Sequence, residues 1–149
     1  MILAASGCIG GDNKGTNVVV KNTSGPLTKD DVLSKLEYGH TMDTVEVTGG
    51  DVVIYHEVIG DGWKYSLDIY DAGEILEEVL KDPKDPRVTS VTVIIPLHGA
   101  DKYGQQQTTT AMRFKLTKQT AAKINWDHFN PNNLANIVDD AYIHHNLDR

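Results

Sequence analysis

The chain is poor in the residues that usually announce chemistry. It has one cysteine, Cys8, in 149 residues, which excludes an internal disulfide framework and a Cys-rich zinc site. It has only three arginines and a formal net charge of −7 at pH 7. A phosphate-neutralising surface needs clustered Arg and Lys, so this balance argues against nucleic acid as a partner. No apolar run reaches 18 residues, so no segment is long and apolar enough to span a bilayer as a helix. There are five serines, and no Gly-x-Ser-x-Gly elbow, no phosphate loop ending in Lys-Ser/Thr and no His-Glu-x-x-His. As a nucleophile Cys8 would sit on a segment where no base can be held beside it. Covalent hydrolysis is not expected, and nothing in the sequence calls for a cofactor.

What is present is material for a core. Apolar residues make up 40% of the chain, and 36 of its residues are Val, Ile or Leu. That suffices for one domain of ordinary size and argues against global disorder. The expected division is a leader remnant, anchor and flexible tether at 1–26, followed by a single domain at 27–149.

The N-terminus reads Leu3-Ala4-Ala5-Ser6-Gly7-Cys8-Ile9-Gly10-Gly11. Small residues directly before a cysteine, with apolar ones upstream, resemble the lipobox of exported, archaeal-type surface lipoproteins. Ala5, Ser6 and Gly7 match the small positions, although Leu is commoner where Ala5 stands. The resemblance implies that Cys8 is lipidated and becomes the mature N-terminus. Seven residues cannot hold a charged and an apolar leader region, so the start is expected to be truncated. Residues 10–26 are rich in Gly, Asn, Ser and Pro, as a tether would be. Asn22-Thr23-Ser24 fits the N-glycosylation pattern, which matters only for an exported chain. The stretch 123–130 is also similar to segments of uncharacterised exported lipoproteins, which implies no activity.

From Pro26 onward the signals are regular. Thr28 and the acids Asp30 and Asp31 suit a helix start, and Val32, Leu33 and Leu36 recur at helical spacing. Residues 44–47 alternate, a Gly49-Gly50 turn follows, and 52–58 is β-branched, which together predict a hairpin. Residues 66–81 form the strongest helix, with Ile69, Ala72, Leu76, Val79 and Leu80 on one stripe and Ile75 on its margin. Residues 91–95 read as a strand ended by Pro96, 98–104 as a loop, and 105–116 as a long strand. Thr117 caps a short helix. Asn130 and Pro131 start a last one, with Leu134, Ile137, Val138, Ala141 and Tyr142 inward. The predicted fold is α+β, in the order α-β-β-α-β-β-α-α. Its four-stranded sheet is mostly antiparallel, and mixed if the middle connection is a right-handed crossover, with helices on one face.

Three groups of residues carry candidate functions. His128, Asp140 and His144 are the metal candidates: Asp140 and His144, four apart on the expected helix, would share a face, with His128 as third ligand. The alternative is a solvated helix end, where histidine suits the dipole. His56 and Glu57 should point to opposite faces of their strand. Trp63 and Tyr103 follow turns and would make a platform for a sugar or protein, unless Trp63 folds over the core. Trp126 and Phe129 read as core anchors of the last helix. The polar run 105–110 is either an edge strand open to a partner, including a second copy, or a hairpin end in solvent.

The favoured expectation is an extracytoplasmic binding or accessory domain tied to the membrane only through a lipid anchor, meeting a surface protein or glycan. The alternatives are a metal-assisted hydrolase using His128, Asp140 and His144, and a cytosolic interaction protein with an incidental Cys8.

Overall fold

A computed structural model describes residues 25–36, 40, 42–57, 65–81 and 85–144. Cys8, Asn22 and Trp63 lie outside these residues, as does the expected tether. The first helix, α1 (Lys29–Leu33), starts in a reciprocal capping box: the Asp31 N–H donates to Thr28 Oγ1, and the Thr28 N–H donates to an Asp31 carboxylate oxygen. The hairpin follows as β1 (Met42–Thr48) and β2 (Asp51–His56), turning at Gly49 with φ of 61°, a left-handed conformation that favours glycine. The long helix is α2 (Tyr65–Leu80). After it come β3 (Ser90–Ala100) and β4 (Gln106–Thr117), then α3 (Lys118–Ala121) capped by Thr117. Two single 3-10 turns, Trp126–His128 and Pro131–Asn133, lead to α4 (Leu134–Ile137) and β5 (Asp140–Ile143).

The class is α+β, with one mixed sheet of five strands in the order β1-β2-β3-β4-β5. All neighbours are antiparallel except β2 and β3, which run parallel on either side of α2. The expectation of four strands and two closing helices is therefore corrected. Val138 turns extended after one helical turn, and the Asp139 N–H bonds to the Lys115 carbonyl. Asp139 also accepts from the Thr117 N–H and the Thr120 hydroxyl. These bonds pin the chain against the free edge of β4, where residues 140–143 satisfy their backbone groups as a strand.

Alternation separates the two faces of the sheet. Val45, Ile54, Val93 and Phe114 form one row across four strands, all buried. α2 covers this side with Ala72, Ile75, Leu76, Val79 and Leu80 wholly buried, each large aliphatic contributing about 1.5–3 kcal/mol before entropy. Ile75 is as deep as the rest, so the apolar stripe is wider than its spacing suggested. Arg87 ties the start of the domain down: it binds Asp85 through two nitrogens, pairs with Asp31 and donates to the Gly25 and Pro26 carbonyls.

Pro96 does not end its strand. The register shifts between Ile95 and Pro96, and β3 has already passed its last partner on β2, Tyr55 opposite Ile94. Proline is tolerated at such bulged and edge positions. Beyond this point β3 and β4 continue as a two-stranded arm, with Pro96 opposite Thr110 and Ala100 opposite Gln106.

Gly73 of α2 faces the second 3-10 turn. A methyl group there would lie 2.8 Å from Pro131 Cβ and 3.2 Å from its Cα, neither of which can rotate away. Gly73→Ala should thus lower stability by about 1–3 kcal/mol from overpacking. That loss would outweigh the gain of roughly 1 kcal/mol in helix propensity. A urea titration reads the difference, and an unchanged or higher midpoint would contradict the close packing.

Candidate functional site

The most unusual chemistry lies between α2 and the end of β2. Along α2, Asp68, Asp71, Glu74 and Glu78 recur at intervals of three or four, so they stack along one margin of the apolar stripe. Asp68 is 2% exposed. Val52, Ile54 and His56 are the inward positions of β2, and His56, 1% exposed, therefore enters the core beside that acidic margin.

Its ring nitrogens meet two acceptors. His56 Nε2 lies 2.5 Å from Asp71 Oδ2 and Nδ1 lies 2.7 Å from the Glu57 carbonyl oxygen. With a carbonyl and an ionised carboxylate as partners, the doubly protonated ring is the form that makes both bonds. His40 repeats the pattern between two carboxylates, with Nδ1 2.6 Å from Asp71 Oδ1 and Nε2 3.0 Å from Glu78 Oε2. Asp71 is thus a bridge, each oxygen holding a different histidine.

The energetics follow from burial opposed by charge. Burial alone would lower the pKa of His56, but the Asp71 and Glu57 hydrogen bonds, with the charges of Asp71 and Asp68, raise it above 6.5. For His40 the desolvation penalty is likewise overcome, by Asp71 and Glu78. Burial tends to raise the Asp71 carboxyl, yet the two histidines hold it below its ordinary value of 3.8.

Among the described residues, the opposite face of the sheet carries a row of side chains that are at least partly exposed. Thr44, Tyr55, Ile94, Arg113 and Tyr142 form this row across all five strands. Where β1 and β2 stop and the arm continues, the step makes a cleft of about 750 Å³. Asp43, Tyr55, His56, Glu57, Ile94, Pro96, His98 and Thr108–Thr110 line it. His56 and its flanking residues therefore divide between two sites, the imidazole inward and Tyr55 and Glu57 at the cleft.

The expected metal set does not assemble. Asp140 opens β5, paired with Arg113 at 2.9 Å, and His144 follows the strand, its N–H bonded to the Ala111 carbonyl. Four residues along a strand separate them by about 13 Å, where a helix would have stacked them. His128 is exposed in a 3-10 turn, lining a separate pocket of about 450 Å³ with Phe129 and Ile137. Among the described residues, the potential metal-holding group whose ligand atoms lie within 4.8 Å of one another is His40, Asp71 and Glu74.

Tyr103 sits at the tip of the arm, 75% exposed, with Lys102 Nζ 4.9 Å from its ring centre. It is not among the residues that line the cleft. Trp126 and Phe129 pack edge-to-face at 5.1 Å against the core.

His40 is the residue that sequence reasoning missed, since it belongs to no periodic element. A usable signal was the acidic margin of α2 beside an otherwise apolar stripe, together with a histidine at the third inward position of β2. Compared with known protein families, curated proteins and solved structures, the chain matches none.

The pH dependence has a worked sign. Raised histidine pKa values contribute stability that is complete below about 6.5 and lost as pH rises through the folded values. The depressed Asp71 contributes stability present above 3.8 and lost as pH falls. Metal-free protein should be most stable between these limits and weaken above them, by up to about 1.4 kcal/mol per pH unit for each histidine that releases its proton. Urea midpoints from pH 4 to 9 check this. Asp71→Asn should flatten the alkaline slope, and an equally steep slope in that variant would remove the bridge from the explanation.

Proposed function

We propose that this chain is an extracytoplasmic binding domain, tethered through Cys8, that takes a surface glycan in the cleft on the partly exposed sheet face. The observation that carries this reading is the cleft itself, which gathers hydroxyls, carboxylates and imidazole groups beside apolar Ile94 and Pro96. Tyr55 and Thr108–Thr110 offer hydroxyls, Asp43 and Glu57 offer acceptors, and Ile94 and Pro96 offer the apolar patch that the C–H face of a sugar needs. His98 is held for this by Thr108, its Nδ1 2.8 Å from the hydroxyl oxygen. The net charge of −7 supports a neutral or cationic ligand over a polyanion. The lipobox resemblance and the composition of residues 10–26 support the tether.

A protein partner is the second reading, favoured by the arm. Past Ile94 and Ala111 each arm strand has no second strand paired to it among the described residues, and residues 98–100 and 102–109 are exposed. Such edges accept a strand from another chain, a second copy included.

A panel of immobilised surface polysaccharides separates the two readings. Binding should fall at least tenfold in Asp43→Asn and His98→Ala, while Tyr103→Ala at the arm tip leaves it unchanged. Unchanged binding in Asp43→Asn and His98→Ala, with loss in Tyr103→Ala, would shift the site to the arm tip. For the tether, Cys8→Ser should move the chain from the membrane to the soluble fraction of the cells that make it. Persistent membrane association would remove Cys8 as the anchor.

A further inference from the structure

We propose that His40 Nδ1, Asp71 Oδ1 and a Glu74 carboxylate oxygen form a three-ligand site for a divalent transition-metal ion. One ligand atom from each of the three residues lies within 4.8 Å of the others, and His40 Nδ1 is 2.6 Å from Asp71 Oδ1. An ion with bonds of about 2.0–2.2 Å fits this spread after small movements. Asp71 and Glu74 stand three apart on α2, so one rigid helix supplies two ligands side by side.

The groups around the three ligands are those that a metal site requires. A ligating histidine ordinarily donates its remote N–H to a carboxylate, and His40 Nε2 faces Glu78 Oε2 at 3.0 Å. That bond puts the retained proton on Nε2 and leaves Nδ1 as the lone-pair nitrogen. A ligating carboxylate is ordinarily steadied through its other oxygen, and Asp71 Oδ2 accepts from His56, itself oriented by the Glu57 carbonyl. None of these outer contacts has to break when an ion enters.

Charge counts in the same direction. Asp68, Asp71, Glu74 and Glu78 place four carboxylates about two imidazoles, an acidic surrounding that favours a cation. Binding exchanges the proton on His40 Nδ1 for the ion: the N–H bond breaks, the Nδ1–metal bond forms and the proton leaves to solvent. The 2.6 Å contact between His40 and Asp71 then opens by about 0.7 Å, to the spacing of two ligands on one tetrahedral ion. One nitrogen with two oxygens suits Zn2+, Co2+ or Mn2+, whereas Ca2+ and Mg2+ favour all-oxygen shells. Protein ligands number three, which leaves a coordination position for water.

The test uses the full chain without a histidine tag, stripped with EDTA and titrated with Zn2+ by calorimetry, with elemental analysis after desalting. The expected result is about one equivalent bound, a raised Tm, and heats that change with buffer because a proton is released. Glu74→Ala should weaken Zn2+ at least tenfold while far-UV circular dichroism stays unchanged, since Glu74 is partly exposed and neither histidine bonds to it. His40→Ala should abolish binding, and Ca2+ should not compete. The double variant His128→Ala/His144→Ala should bind as the parent does. Substoichiometric metal in the parent, full affinity in Glu74→Ala, or loss in the double variant would each overturn the assignment. The cleft reading does not depend on this result.

Discussion

Asp71 is the side chain on which the rest of the arrangement turns. Its two oxygens hold two histidines from different parts of the chain, 31 and 15 residues away. One lies before β1 and the other closes β2, so a single carboxylate fixes both to α2. Removing one partner of a buried ion pair generally costs about 3–5 kcal/mol, because the other charge is left without compensation. The bridge therefore costs desolvation energy and in return specifies one register between the helix and the sheet. Its neighbours Asp68, Glu74 and Glu78 add three more carboxylates along the same helix.

The parallel step between β2 and β3 explains why the other face is shaped as it is. A crossover through α2 brings β3 alongside β2, and the two pair only from Asp51–Ser90 to Tyr55–Ile94. β2 then stops while β3 runs on with β4 into the arm. The cleft is the corner left by this difference in length. Because alternate residues of one strand serve opposite faces, His56 reaches the acidic cluster while Tyr55 and Glu57 reach the cleft. The two sites share the segment Tyr55–Glu57, and the Glu57 carbonyl that orients His56 belongs to a residue of the cleft wall.

Much of the fold was legible from local pattern. The capping box at Thr28, the hairpin through Gly49, the stripe of α2 and the alternation of β3 and β4 are each written in a few neighbouring residues, and each forms as those residues predict. The failures occur where local pattern is ambiguous. Residues 134–142 satisfy a helical period, but a free edge on β4 and the three hydrogen bonds of Asp139 favour a strand from Asp140. Pro96 is a strand terminator in a central strand and harmless beside a vacant edge, and the sequence does not say which neighbours a strand will have.

Local periodicity assigned the inward residues of α2 and of the strands, because periods of 3.6 and 2 are properties of the local backbone. It misplaced Ala141 and Tyr142, which are exposed on β5. The sequence by itself also determined that a core exists and that acidic residues flank the apolar stripe of one helix. Only the tertiary structure decided what each inward residue meets. His40 and His56 reach Asp71 because the strand order, the parallel pairing and the helix position coincide, and no local spacing encodes that meeting. The His128, Asp140 and His144 set fails for the same reason: adjacency on a helix became separation along a strand once long-range pairing chose the backbone.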